Sequence, residues 1–342
     1  MQRQVRLIFF FVIAIGGLFS ASPQVLAEEH ISPESSQHQQ SVWILPPPSF
    51  PADNPYTESK AELGKIIFFD PRLTHNKNFS CVSCHNPGLA WADGMDQSVI
   101  DGRHTMPRHT PSLINVAYRK NLFWDGRATT LEGAISEHLQ SIYPDRQELI
   151  EEIIEIPGYR KRFSSAFGNA QISLATISAS LATFLRTIIQ RDTPFDHWVQ
   201  GDTSAISAAA QRGFALFTGK ARCVSCHTPP TFSDEKFHPS ALNTIDPGRY
   251  EISHLLDDRN AFSTPPLRQI GMTAPYMHAG QKPTLSSVIR YYNTEFAQQS
   301  AEMGKHPLNL DKQEMDDLKA FLESLSGSMP AVTFPVLPVK PQ

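Results

Sequence analysis

An all-α chain of two tandem domains is what this 342-residue sequence predicts, and three observations carry that expectation. One pentapeptide occurs twice, as Cys81-Val82-Ser83-Cys84-His85 and Cys223-Val224-Ser225-Cys226-His227, and together the two copies hold all 4 cysteines. A related segment precedes each copy: Leu63-Gly64-Lys65-Ile66-Ile67-Phe68-Phe69 in the first half, Gln211-Arg212-Gly213-Phe214-Ala215-Leu216-Phe217 in the second. Elsewhere apolar residues recur at three- and four-residue spacing, and no convincing run of alternating strands intervenes.

In chain order, Arg3 and Arg6 precede an apolar run from Leu7 to Leu18, and Val25-Leu26-Ala27 offers small residues to a signal peptidase. Residues 1–27 therefore read as a signal peptide, with the mature chain starting near Glu28. An uncleaved anchor is the alternative, against which the run falls short of the ~20 residues a spanning helix needs. Residues 28–55, rich in Ser, Gln, His and Pro, read as a disordered leader. The first domain is assigned to 56–202 and the second to 203–328, with the boundary at the Gly, Asp, Thr and Ser run of 201–204. Each repeated segment reads as a short helix ending in aromatic residues. Helices are further expected over Thr130–Ser141, Gln147–Ile156, Ser173–Ile189 and Asp311–Leu325, with Ser173 and Asp311 as N-caps. Residues 329–342, with Pro330, Pro335, Pro338 and Pro341, read as an extended tail.

The pentapeptide has the form C-x-x-C-H, the attachment signature of c-type haem. Cys81 and Cys84 would bond the two vinyl groups of one porphyrin and Cys223 and Cys226 those of another, with His85 and His227 as proximal iron ligands. A thioredoxin-like pair or half of a zinc site needs no histidine directly after the second cysteine. Two covalent haem c groups are expected, and two cytochrome c-like domains with them. Such attachment takes place outside the cytoplasm, which agrees with the N-terminus and predicts a periplasmic protein. The four thiols are consumed, so no disulfide is expected. A net charge of −4 suggests no nucleic-acid role.

The order of further motifs is more specific. Leu63-Gly64-Lys65, Phe68-Phe69-Asp70-Pro71-Arg72-Leu73, the first pentapeptide, Pro107-Arg108-His109-Thr110-Pro111-Ser112-Leu113 and Phe123-Trp124-Asp125-Gly126-Arg127 follow one another in the first half. Pro266-Leu267-Arg268 and Ala274-Pro275-Tyr276-Met277-His278-Ala279-Gly280 occur in the second. From about Tyr56 to Gly327 the chain resembles the bacterial di-haem cytochrome c peroxidase family, in its MauG-like subgroup. The resemblance implies an enzyme that reduces hydrogen peroxide at the N-terminal haem, with electrons handled by the C-terminal one.

It also implies roles for particular residues. Trp124 matches the tryptophan between the haems, whose π-system can couple them; a tryptophan packing the domain interface is the plainer reading. Tyr292 stands where the peroxidases place a methionine and the MauG-like proteins a tyrosine, which makes it the second ligand of the C-terminal iron, with Tyr291, Met277 and Met272 as alternatives. Asp101 occupies the position of the distal histidine that blocks the N-terminal haem, implying an open iron, although His104 lies nearby. The distal acid or base that moves a proton between the peroxide oxygens falls by count on Pro144, leaving Glu137, His138 and Asp145 as candidates. Glu137 and His138 are taken as catalytic. Ca2+ between the haems is weakly expected, because His109 replaces an asparagine ligand while Thr264 and Pro266 still offer carbonyls. Arg127 reads as structural. Ala221 stands where MauG-like modification of a protein partner uses a surface tryptophan.

The partners expected are hydrogen peroxide and either a small redox protein as donor or a protein substrate, with no nucleic acid, no membrane span after processing, and a homodimer compatible with the sequence. Two rival readings remain: oxidative modification of a partner protein, and a non-catalytic electron carrier in which both irons are six-coordinate.

Overall fold

The computed structural model describes residues 42–74, 77–100, 104–143, 145–242, 244–296 and 307–340. The signal peptide of 1–27, most of the leader, Asp101 and Pro144 lie outside them.

Five helices build the first half, and their starts follow from local chemistry. Helix α1 (Glu58–Phe69) opens where the Thr57 hydroxyl accepts the Lys60 amide. Thr130 caps α2 (Leu131–Ile142), Asp145 caps α3 (Arg146–Glu155), and Ser173 closes a capping box on α5 (Leu174–Leu185). Between them, α4 (Pro157–Phe167) begins on a proline, whose missing N–H costs nothing at that position. In the second half, α6 (Pro194–Val199), α7 (Ala208–Thr218), α8 (Leu285–Arg290) and α9 (Lys312–Ser324) follow, α9 with a capping box from Asp311 and Glu314. Two small antiparallel ribbons complete the described elements, β1 (Val99–Ile100) with β2 (His104–Thr105) and β3 (Phe237–Pro239) with β4 (Ala261–Ser263).

The internal repeat has a packing reason. A Cβ on Gly64 would lie 2.0 Å from the Ser180 carbonyl oxygen of α5, and one on Gly213 would lie 2.0 Å from the Asp317 carbonyl oxygen of α9. Each domain thus presses its pre-motif helix backbone against a second helix at a residue without a side chain. Phe68, Trp91 and Phe184 gather beside the first contact, and Phe195, Phe217, Phe232 and Phe321 beside the second.

Three expectations about organisation change. Helix α5 stops at Leu185 instead of Ile189, because Asn115 takes the following backbone: its amide donates to the Ile188 carbonyl at 2.9 Å and its side-chain oxygen accepts the Gln190 amide at 2.9 Å. Helix α6, assigned to the first domain, contributes Phe195 and Val199 to the second core, so packing places the boundary before Thr193. The described part of the leader packs on the domains, contrary to the disordered leader expected, while the tail runs as irregular, largely exposed chain. Trp43 of the leader is buried in the second core, its carbonyl accepting Arg268 Nη2 at 2.8 Å. Asn54 Nδ2 donates to Glu132 Oε1 at 2.7 Å in the first domain. The tail returns to the first domain, where Phe334 meets Phe69 edge-on and Lys340 pairs with Glu155 at 2.7 Å. No helix among the described residues is long and apolar enough to cross a membrane.

Candidate di-haem site

Both pentapeptides adopt the same geometry. The first is a single helical turn, Cys81–Cys84, and the second a tighter turn, Cys223–Ser225; in each, the histidine amide donates 2.9 Å to the carbonyl of the first cysteine. The imidazoles are oriented alike. His85 Nδ1 lies 3.2 Å from the Trp91 carbonyl and His227 Nδ1 lies 2.8 Å from the Phe232 carbonyl. A carbonyl can only accept, so Nδ1 carries the proton in both rings and Nε2 is the atom left for a metal. Burial pushes His85 down to about 4 and lowers His227 as well, keeping both rings in the neutral form that ligates iron.

None of Cys81, Cys84, Cys223 and Cys226 is joined in a disulfide. Burial raises Cys81 and Cys223 to about 12 and also raises Cys84, whereas a hydrogen bond from His238 lowers Cys226. Cys226, Asp234 and His238 bring ligand atoms within 4.8 Å of one another. A thioether at Cys226 uses that sulfur, so the cluster belongs to the haem site. Beside the first motif, Trp91 Nε1 is buried without a partner, a donor that a haem propionate suits. Paired thiols, ligand-ready imidazoles and this orphaned donor fit haem c at both motifs.

Trp124 is fixed between the domains. Its indole Nε1 donates to the His109 carbonyl at 2.8 Å, and its own carbonyl accepts the Ser263 amide of β4 at 2.8 Å. Two residues on, Gly126 has φ +65°, and a Cβ there would lie 2.1 Å from the Phe237 ring of the second domain. Only glycine permits that approach. His109 takes no cation-ligand geometry: its Nδ1 lies 2.7 Å from the Met95 carbonyl, and its amide donates to the His278 carbonyl. The Thr264 carbonyl accepts the Ser233 hydroxyl, so a calcium ion would have to share it.

On α2, His138 interacts electrostatically with His85. Burial lowers its basicity, Arg127 lowers it further, and Glu137 opposes the shift. Glu137, expected as a catalytic group, instead holds Arg127 at 2.5 Å with its side chain about half exposed. Asp145 is occupied as the α3 cap, accepting the Gln147 and Glu148 amides. Glu137 and Asp145 thus have partners of their own, and His138 lies half-buried on the same helix as Glu137.

At the second motif, Tyr292 lies in a π-helical turn, Tyr291–Glu295, that continues α8. Such insertions are frequent at functional sites because they re-aim side chains. Tyr292 keeps 38 % of its surface accessible yet is recessed enough for desolvation to raise its phenol, with Tyr291, Cys223 and Cys226 adding to the rise. Tyr291 is fully buried with Lys282 over its ring, and Met272 is exposed.

The ion pairs around this centre were absent from the sequence reading. Arg108 bonds Asp246, 138 residues away, and Arg119 bonds Glu235. No local pattern announces pairs of such separation.

Residues 58–204 match the family model described as di-haem cytochrome c peroxidase, and residues 210–326 match that described as cytochrome c. The chain is 40 % identical over 298 residues to methylamine utilization protein MauG of Methylorubrum extorquens, covering 84 % of each. It is 32 % identical to cytochrome c551 peroxidase of Pseudomonas aeruginosa, covering 83 % of each. The solved structure of a MauG-like protein associated with microbial copper homeostasis superposes with a TM-score of 0.75 at 31 % identity, over 83 % of this chain and 93 % of that one. The two motif geometries and this extent of likeness lead to one assignment: the chain belongs to the di-haem cytochrome c peroxidase family and carries haem c in two tandem cytochrome c-type domains.

Proposed function

We propose that this protein is a periplasmic peroxidase that reduces hydrogen peroxide to two waters, taking two protons and two electrons, the electrons arriving from a small redox protein through the C-terminal domain. The observation that carries the reading is the matched pair of imidazoles, each with Nδ1 tied to a backbone carbonyl and Nε2 free, together with an indole clamped at the domain interface. When bound, the two haems supply the iron that meets peroxide and the iron that stores and relays charge. The polypeptide supplies the rest. His85 and His227 would hold the two haem irons through Nε2 as neutral ligands, Trp124 couples the domains, and Tyr292 would offer its phenol oxygen to the C-terminal haem. His138 would accept a proton from hydrogen peroxide and return it to the departing oxygen, so that water can leave.

The lowered basicity of His138 keeps it neutral, and so able to accept a proton, down to pH values below the ordinary histidine range near 6.5. Peroxide consumption should therefore hold through neutral pH and fall only in acid. His138→Ala should slow it by about 10²-fold or more, while both haems remain covalently bound. Electron paramagnetic resonance of the ferric protein should give one high-spin and one low-spin haem. Two low-spin signals with an unchanged rate in His138→Ala would return the chain to electron transfer alone.

MauG-like oxidation of a partner's side chain is the second reading, favoured by the 40 % identity to MauG and by Tyr292. Ala221, buried where that activity uses an exposed tryptophan, weighs against the same route.

A further inference from the structure

A run of alternating charges links the second domain to the distal side of the first. Asp246, in the loop between β3 and β4, receives Arg108 at two points: Nε to Oδ2 at 2.7 Å and Nη2 to Oδ1 at 2.8 Å. The same carboxylate is steadied by the Gly248 amide at 2.8 Å. Arg108 spends its remaining nitrogen, Nη1, on Asp125 Oδ2. That oxygen also accepts Arg127 Nη1 at 2.9 Å, and Arg127 Nε reaches Glu137 Oε1 at 2.5 Å. Aromatic rings back both cations, since Arg127 lies 3.6 Å over Phe123 and Arg108 lies 5.6 Å over Phe262, itself stacked on His278. Asp125 follows Trp124 in sequence, and Glu137 precedes His138.

We propose that Asp246, Arg108, Asp125, Arg127 and Glu137 form a positioning relay that sets Trp124 and His138 in common register and makes the distal side of the first haem depend on docking of the second domain. The inference rests on the role given to His138 above. Its physical basis lies at Asp246, Arg108 and Asp125, whose side chains are no more than 15 % accessible and cannot be left unpaired without the neighbours re-pairing, with the more exposed Arg127 and Glu137 tied in through the shared Asp125 Oδ2. Without Asp246, Arg108 can claim both oxygens of Asp125, which withdraws Asp125 from Arg127. Arg127 is then held by Glu137 alone, and the segment that carries the bridge slips relative to α2. A simple interface bond between domains would be lost on the same substitution without any change along α2.

The test uses the holoprotein with Asp246→Asn, Glu137→Gln and the double variant. Asp246→Asn is expected to alter the ferric signal of the N-terminal haem and to speed hydrogen exchange several-fold in residues 131–142. The double variant should differ from the sum of the singles, because the two sites share one chain of contacts. Asp246→Glu should recover the wild-type signal. If Asp246→Asn changes the second haem alone and leaves exchange in 131–142 as in wild type, the relay is overturned. His138→Ala separates the two ideas. Should it leave the first haem's signal unchanged, the distal role of His138 falls, and the relay is decided by exchange in α2. Should Asp246→Asn fail to fold, Glu137→Gln at the exposed end is read in the opposite direction. Faster exchange across residues 246–263 supports the relay, and wild-type exchange there ends it.

Discussion

His85 and His227 receive their orienting carbonyls from Trp91 and Phe232, six and five residues further along the chain. Everything that shapes these two ligands is local, which is why the motifs could be read without coordinates. The distal side is different. His138 lies on α2, more than fifty residues beyond the first motif, and the sequence leaves it beside Glu137 and Asp145 as equals. The structure separates them by occupation: Glu137 holds Arg127 and Asp145 caps α3. Tyr292 is the residue most open to decision. Protein burial alone raises its phenol, so ionisation at neutral pH requires a cation such as ferric iron at the oxygen. Tyr292→Phe changes volume little and should leave the fold intact while raising the reduction potential and altering the low-spin signal of the C-terminal haem only. An unchanged spectrum in that variant, with a changed one in Tyr291→Phe or Met277→Leu, would move the ligand elsewhere.

At the level of elements, helices of ten residues or more were legible where a cap preceded an apolar stripe, whereas the six-residue α6 and α8 were not, despite the capping boxes at Thr193 and Thr284. Thr130, Ser173 and Asp311 sit directly before their helices, and Ser173 and Asp311 complete capping boxes. Helix α4 was missed because its stripe is weak and its start is signalled by proline alone. The end of α5 was missed because Asn115, distant in sequence, competes for its last turn. The glycine shared by the two pre-motif segments was visible as a repeat, but its reason, an absent side chain at a helix crossing, was not. Gly213→Ala tests that reason. The added methyl meets the Asp317 carbonyl, and α7 must move off α9 or α9 must bend. Overpacking of this kind costs about 1–3 kcal/mol. Calorimetry should show a Tm lower by several degrees, with the haem content of the second motif reduced and the first motif unaffected. A Tm equal to wild type would mean that the crossing is looser than described.

For the whole molecule, the chain's two flanks run opposite to their sequence order. The leader enters the second domain at Trp43 before the first domain begins, and the tail leaves the second domain to lie on the first. Composition could not reveal this, since proline-rich segments lacking helical periodicity read alike whether they pack or not. Between the domains, the Arg108–Asp246 pair gives docking a pH dependence whose sign can be worked out. Burial by itself would raise the Asp246 carboxyl, but Arg108's hydrogen bonds and charge, with the Gly248 amide, outweigh it and hold it below the ordinary value. A carboxyl with a depressed folded-state pKa contributes stability that is complete above its unfolded value, about 3.9, and that is lost as pH falls through the folded one. The interface should therefore stay closed from neutral pH down to about 5 and loosen below about 4. Added salt should do little at neutral pH, because only 13–15 % of either side chain is accessible. Pulse proteolysis at the 186–193 junction across this range reads the opening directly. Asp246→Asn should cut faster at neutral pH and lose much of the acid step, since the group that titrates is gone. An acid step of wild-type size in that variant would assign the opening to groups other than Asp246.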